Sequence, residues 1–446
     1  MKYDIIVVGA GTGGALAAKT AAKLGLHVCL LERKPADEVG DKVCGDAVEK
    51  RDFDALGIAL PKGEELANEI KASNLYSPDQ RVCRSLSESG SAGYIVNRIK
   101  FGQRLLKEAL DTNLEFHDRT MALKPLFEHG AVVGVEAKDM LAGDTKEYRG
   151  LVIDASGFHS PLRKVMNSPY IENECDPSDY IICYREILQV GGMDWDPHCI
   201  HIFLSQQRAP GGYLWYFPES ENKVNLGLGV YADPKYKVKE YYQRECLPMA
   251  QEPIEIIHQG GGVVPVRRPL WSLVESGIMF VGDAAFQVNP LHGGGIGASM
   301  RAGIYAAETA AAALENSDPS IDGLWSYNKR YAKEQGGDFA SLDILRIALQ
   351  RFTDDQLNFG LHRDLLSNQD IMDIASGRVV SPTILDVIGR AIRGASKPAL
   401  LLNLLFVNNQ INLMKKIYKA YPDRDKFEPW KASVLKIYKR VKRLIY

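Results

Sequence analysis

An α/β fold is predicted for this chain: a parallel-sheet domain, interrupted by a β-rich insertion and followed by a helical C-terminal region. Three observations carry the prediction. Tyr3 to Val8 is an unbroken apolar run rich in Ile and Val, the pattern of a strand buried on both faces of a parallel sheet, and it leads through a glycine turn into an Ala-rich helical stretch. The same order of strand, turn and helix returns almost three hundred residues later, at 278–314. Beyond about residue 320, apolar residues recur at helical spacing to the end. A chain of 446 residues is too long for one ordinary core, so two or three lobes are expected.

The first unit runs from the strand through Gly9-Ala10-Gly11-Thr12-Gly13-Gly14 and a helix to Leu24. Gly25 stands where a helix C-cap belongs, and His27 to Leu31 reads as a second buried strand ending at Glu32. Residues 43–71 are mixed. Residues 72–96 alternate polar and apolar as antiparallel strands do, and Arg98 to Leu110 is an amphipathic helix by its spacing. Strands follow at Val132–Ala137 and Leu151–Asp154, and residues 170–260 hold short β runs broken by Gly and Pro. Ile278 to Val281 is another buried strand, before a glycine-rich turn and an Ala-rich helix. The expected domains are therefore 1–75, 94–165 and 262–320 for the parallel-sheet domain, 76–93 and 166–261 for the β-rich domain, and 321–446 for the helical region.

Composition removes several classes. Hydrophobic residues make up 46 % and charged residues 25 %, as in folded globular proteins. Nothing approaches eighteen consecutive apolar residues; the richest stretch, Pro398 to Val407, is too short and is interrupted by Asn403. A glycine turn stands where a signal peptide would have its cleavage region, so no export is expected. The seven cysteines show no metal spacing, which suits a reduced, cytoplasmic thiol set with no metal. From Ile388 to Tyr446, 14 Lys and Arg stand against 3 Asp and Glu, although the whole chain carries −2. That basic tail calls for an anionic membrane surface, an acidic protein or the chain's own acidic body. No nucleic-acid module is recognisable.

GxGxxG alone says little, but here it follows a buried strand, opens a helix and is trailed by Glu32. Gly9 makes the tight turn, Gly11 lets the backbone approach a pyrophosphate, and Gly14 lets helix and strand pack closely. Glu32 would accept hydrogen bonds from a ribose. This is a Rossmann-type dinucleotide site. Gly282-Asp283-Ala284-Ala285 and Pro290-Leu291-His292-Gly293-Gly294-Gly295-Ile296 form a second glycine-lined helix N-terminus, which suits a long cofactor spanning both segments. Amides there can face the O2/N1 edge of an isoalloxazine.

With Asp154-Ala155-Ser156-Gly157, Ser160 and Arg163, these motifs resemble the para-hydroxybenzoate-hydroxylase-type flavoproteins. Lys42-Val43-Cys44-Gly45-Asp46 is similar to the (R/K)xCG(D/E) loop of the geranylgeranyl reductases. Gly212-Tyr213-Leu214-Trp215-Tyr216-Phe217-Pro218 with Asn225-Leu226-Gly227 is similar to their YxWxFP…NxG signature. The resemblance covers about residues 1–330. It implies FAD held at Gly14, Glu32, Cys44, Gly45, Asp46, Ala47, Arg98, Ala122, Asp283, Gly294, Gly295 and Ile296, beside Gly9 and Gly11 of the first loop. It also implies hydrogenation of isolated C=C bonds in a polyprenyl lipid, in archaea normally a digeranylgeranyl glycerolipid, with hydride from reduced flavin. A flavin monooxygenase and a non-catalytic isoprenoid carrier share the scaffold and stay open as alternatives. No second GxGxxG unit marks a nicotinamide site, so ferredoxin and transiently docked NAD(P)H are both open as electron donor.

Tyr213, Trp215 and Phe217 alternate along one strand face, where they either line a slot for isoprene units or fill a core between sheets. Cys44 is either a small buried hydrophobe or the proton source near the flavin, and His292 is its rival. In the tail, Val434, Ile437, Tyr438, Val441, Leu444 and Ile445 form one apolar stripe flanked by Lys436, Lys439, Arg440, Lys442 and Arg443. Such a helix either lies in a headgroup layer, holding the protein at the inner face of the cell membrane, or packs on the body of the chain.

Overall fold

The computed structural model describes residues 2–87, 93–375, 389 and 392–444. Lys2–Val8 lies at the centre of an eight-stranded sheet. It is flanked in parallel by Val28–Leu31 and Thr145–Asp154, with Glu115–His117 beyond the first and Ile278–Phe280 beyond the second. The hairpin Thr120–Glu128 and Ala131–Asp139 leans antiparallel on Thr145–Asp154. Helices Thr12–Lys23 and Ile296–Glu315 bury their alanines against each other, and they approach closely because both are glycine-bearing there. A Cβ built on Gly303 would lie 2.1 Å from the carbonyl oxygen of Gly13.

A second sheet of seven strands runs in the order Pro253–Pro265, Tyr180–Val190, Lys223–Tyr231, Tyr213–Ser220, Cys199–Leu204, Ala72–Tyr76, Cys83–Leu86. The short, broken runs expected at 170–260 are instead long strands, of 11 residues at Tyr180–Val190 and 13 at Pro253–Pro265. Glycines in this sheet make room for neighbours and do not end the strands: in Lys223–Tyr231, Gly227 lies under the Trp215 ring and Gly229 beside Ile181 and Cys183. The alternating segment 72–96 divides between two sheets. Ala72–Tyr76 and Cys83–Leu86 join the second sheet, while Gly93–Val96 pairs with Ala47–Glu49 and Leu66–Ile70 in a three-stranded one.

The C-terminal helices share the core of the first sheet. Tyr418, Tyr421, Phe427 and Trp430 pack around Trp271 and Trp325, and the last helix, Phe427–Leu444, is docked along its length. Val434, Ile437 and Val441 are 0–1 % exposed, and the Tyr438 hydroxyl donates to Asp343 at 2.7 Å. The apolar stripe therefore faces the protein's own body, which corrects the headgroup-inserted alternative. A face already removed from water has no apolar area left to give to a lipid. The cations flank it and remain exposed. Ile445 and the side chain of Leu444 lie outside the described residues. Among the described residues, no helix is long and apolar enough to cross a membrane.

Candidate active site

The first glycine loop has the geometry that its three glycines require. Gly9 sits at φ +95° with its amide on the Leu31 carbonyl. A Cβ on Gly14 would lie 1.8 Å from the Gly9 oxygen, so any other residue there would force helix and strand apart. A Cβ on Gly11 would meet nothing within 4 Å: the loop is open on that side. Glu32, 9 % exposed, accepts from the amides of Ala10 at 2.7 Å and Lys34 at 2.9 Å. Each of its oxygens can accept a further bond. Ala122 is buried in the neighbouring hairpin, two residues past Thr120, whose amide bonds the Glu32 carbonyl.

A buried network ties this end to the second glycine loop. Asp154 accepts from Ser156 and Ser160, Ser160 caps the amide of Arg163, and Arg163 donates to the Ala284 carbonyl at 2.8 Å. In that loop Asp283 forms an ion pair with Lys42 at 2.7 Å, and Gly295 opens the helix Ile296–Glu315 without a side-chain cap. His292 Nδ1 accepts from the Gly294 amide at 3.1 Å, while its backbone carbonyl takes the Tyr213 hydroxyl at 2.6 Å. A cleft of about 70 Å³, open to solvent, lies between Ala47–Asp52 and His292–Ala298.

Between the two glycine loops, the segment 42–46 and the aromatic strand interlock. Asn225, fully buried, donates to the Cys44 carbonyl at 2.9 Å and to Asp46 Oδ2 at 3.0 Å, and accepts from Trp215 Nε1 at 3.0 Å. Phe217 packs on Gly45, where a Cβ would be 2.8 Å from its ring. Val43 sits over Gly260 and Gly262 of the edge strand. Trp215 and Phe217, each 6 % exposed, form an apolar cluster with Ile70 and Ile95, and Tyr213 lies at its margin.

Asp46, at φ 62° and 2 % exposed, faces two buried arginines. Arg98 Nε is 3.8 Å from Oδ1 and an Arg185 Nη is 4.0 Å from Oδ2, both too far for a hydrogen bond. Asp46 Oδ1, Arg98 Nε and Nη1 and Arg185 Nε have no hydrogen-bond partner among the described residues. Burial outweighs the pull of the two arginines and raises the Asp46 carboxyl to about 7. Burial and the adjacent Asp46 also push the Cys44 thiol up.

The predicted residues thus divide. Gly9, Gly11, Gly14, Glu32, Asp283, Gly294, Gly295 and Ile296 line two glycine loops joined through Arg163, whereas Cys44 to Ala47, Arg98 and the aromatic strand form the space between. Arg98 lies beside Asp46, with Nε 3.8 Å from Oδ1, and its Nε and Nη1 have no hydrogen-bond partner among the described residues. The donors and shapes fit a dinucleotide: an open approach at Gly11, a ribose-side acceptor at Glu32, and orphaned donors on Arg98. Sequence reasoning quoted Asn225 and Gly227 but gave them no role, and it missed Arg185. No local spacing marks a residue whose partner lies far away along the chain.

The family model of the geranylgeranyl reductase catalytic domain matches residues 179–264, the heart of the second sheet, and that of glucose inhibited division protein A matches 4–74. A digeranylgeranylglycerophospholipid reductase of Sulfolobus acidocaldarius is 37 % identical over 95 % of this chain and 94 % of its own. One of Methanothrix thermoacetophila is 35 % identical over 84 % of this chain and 94 % of its own. Among solved structures, a geranylgeranyl bacteriochlorophyll reductase-like protein of Thermoplasma acidophilum superposes with a TM-score of 0.75 at 25 % identity, over 91 % of this chain and 99 % of that one.

Proposed function

The chain belongs to the digeranylgeranylglycerophospholipid reductase family, and from that premise we propose how its residues carry out the reaction. It is an oxidoreductase that hydrogenates C=C bonds of geranylgeranyl lipids. The cofactor is a flavin, and we assign it as FAD, to be checked by identifying the flavin that the denatured protein releases. Bound FAD would supply hydride from its reduced form. The two glycine loops would hold its two ends, with Glu32 accepting from the ribose and Asp283, once released from Lys42, from the ribityl chain.

An isolated alkene is a poor hydride acceptor, so a proton must reach the second carbon as hydride reaches the first. Cys44 is the proposed donor. Its thiol is held protonated, and its loop is locked through Asn225 to the aromatic strand that would align the chain. This interlock is the observation that carries the reading: one buried side chain couples the apolar cluster to the thiol loop. His292 is the weaker rival because Nδ1 already accepts from Gly294. Tyr213, Trp215 and Phe217 would bound the polyprenyl slot on its apolar side, giving orientation more than activation.

Reducing equivalents would come from ferredoxin or NAD(P)H. We place the work in the cytoplasm at the inner face of the membrane. There the exposed Lys436, Lys439, Arg440, Lys442 and Arg443 would meet anionic headgroups without insertion. Reversing three of these charges should abolish co-sedimentation with anionic liposomes at low salt; equal sedimentation would remove the membrane contact.

Anaerobic reduction of the holoprotein with dithionite, followed by mass spectrometry of added digeranylgeranyl glycerolipid, tests the reaction. Two hydrogens gained per double bond is the expected result. Unchanged lipid would indicate a carrier, and an oxygen-dependent hydroxylated product a monooxygenase.

A further inference from the structure

We propose that Asp46 is the proton reservoir behind Cys44: it returns a proton to the Cys44 sulfur after each alkene is protonated and recovers its own from solvent. This deepens the reading of Cys44 given above and rests on it. The first ground is placement. Asp46 follows Cys44 by two residues, and Asn225 fixes both by donating to the Cys44 carbonyl and to Asp46 Oδ2. A left-handed backbone at a non-glycine residue, φ 62°, turns the carboxyl inward.

The second ground is incomplete pairing. A carboxylate meant as a fixed counter-ion for Arg98 and Arg185 would be expected to bond them directly, as Glu172 bonds Arg267 and Arg268 elsewhere in the chain at 2.5–2.8 Å. Here the gaps are 3.8 and 4.0 Å, and Oδ1 has no hydrogen-bond partner among the described residues. An oxygen so placed has room to carry a hydrogen. Burial, which the two arginines only partly offset, raises the carboxyl to about 7.

The other charged and titratable groups facing it do not take over the role. Arg98 and Arg185 offer only guanidinium donors, and Glu219, on the aromatic strand, is paired to Lys223 at 2.8 Å. Lys42 is paired to Asp283. Burial holds Cys183 and Tyr213 protonated well above neutrality. Solvent lies close by: Arg185 donates to His258 Nδ1 at 2.8 Å, and His258 lies 3.4 Å from Asp41, where both side chains are more than a third exposed.

The step balances. One alkene carbon takes hydride from the reduced flavin, which loses two electrons; the other takes the proton of the Cys44 S–H bond. The Asp46 O–H bond then breaks to restore the thiol, and water restores the acid.

The test is the pH dependence of turnover by dithionite-reduced holoenzyme on a geranylgeranyl glycerolipid in detergent. Wild-type turnover should fall as pH rises through about 7. Asp46→Asn should lose about 10²-fold at neutral pH and no longer show that fall. Asp46→Glu should keep the fall with its midpoint shifted, and it decides the matter if the Asn variant does not retain flavin. Independently of turnover, potentiometric titration of the folded proteins should show one fewer group near pH 7 in Asp46→Asn. An Asn variant that keeps the wild-type profile, or an unchanged titration, overturns the proposal. Cys44→Ser separates the two readings. If it retains full rate, the role of Cys44 fails and this proposal with it; if it is slowed while Asp46→Asn is not, only the reservoir fails.

Discussion

Two carboxylates in this chain, the half-buried Glu172 and the buried Asp46, each sit between two buried arginines, and they hold protons in opposite ways. Glu172 bonds Arg267 and Arg268 directly and also takes the Trp271 amide; burial opposes its ionisation, yet the two guanidinium groups hold it down at about 2. Asp46 has two other arginines, Arg98 and Arg185, at 3.8 and 4.0 Å, and burial wins, raising it to about 7. The ingredients are alike, and roughly one ångström of separation decides between a structural ion pair and a group able to exchange its proton. The first cluster clamps the helical C-terminal region to the cofactor domain, whereas the second lies beside the thiol loop. Rigidity is expected of the former and, on the proposal above, proton transfer of the latter.

The largest expected effect comes from uncovering the closed cluster. Truncation after Trp430 removes Val434, Ile437 and Val441, each worth about 1.5–3 kcal/mol when buried, together with the Tyr438 bond to Asp343. Asp343 in turn accepts from the Arg268 amide, so the loss reaches the clamp itself. Thermal melting should show a large drop or no cooperative transition. Unchanged melting would mean that the stripe is not packed as described.

Glu172→Gln should come next, at about 3–5 kcal/mol, because it leaves two buried guanidinium groups without their carboxylate. Urea titration measures it. The contribution of Glu172 is present above its unfolded value and is lost as pH falls toward about 2. A loss below about 1 kcal/mol would make the clamp dispensable.

The smallest effect on stability, and the opposite in pH, is expected at Asp46. Its folded value lies above the unfolded one, so its contribution is present in acid and is lost as pH rises toward about 7. Wild type should therefore lose ground to Asp46→Asn in melting temperature as pH rises through that range. A constant difference would show that the carboxyl titrates as it does in the unfolded chain.

The contrast also marks what the sequence makes legible. Gly9, Gly11, Gly14 and Glu32 are readable because a strand, a turn and a helix impose their spacing within one local unit. The helix Arg98–Leu110 is legible from its period alone. The long strands of the second sheet are not, since a glycine that ends a strand and one that makes room for Trp215 look the same in one dimension. The tail stripe had two partners open to it, and only the three-dimensional position of the first sheet's core decides between them. Asn225, Arg185 and Asp46 are brought together by register between distant strands and a loop, which no local pattern encodes.

Infrared difference spectroscopy across the pH range tests most directly the claim that similar neighbours yield opposite protonation. Wild type minus Asp46→Asn should show a carboxylic-acid C=O band that disappears with a midpoint near pH 7, while wild type minus Glu172→Gln should show only carboxylate from mildly acidic pH upward. A spectrum in which Asp46 is already ionised in mild acid, as Glu172 is, would contradict the account.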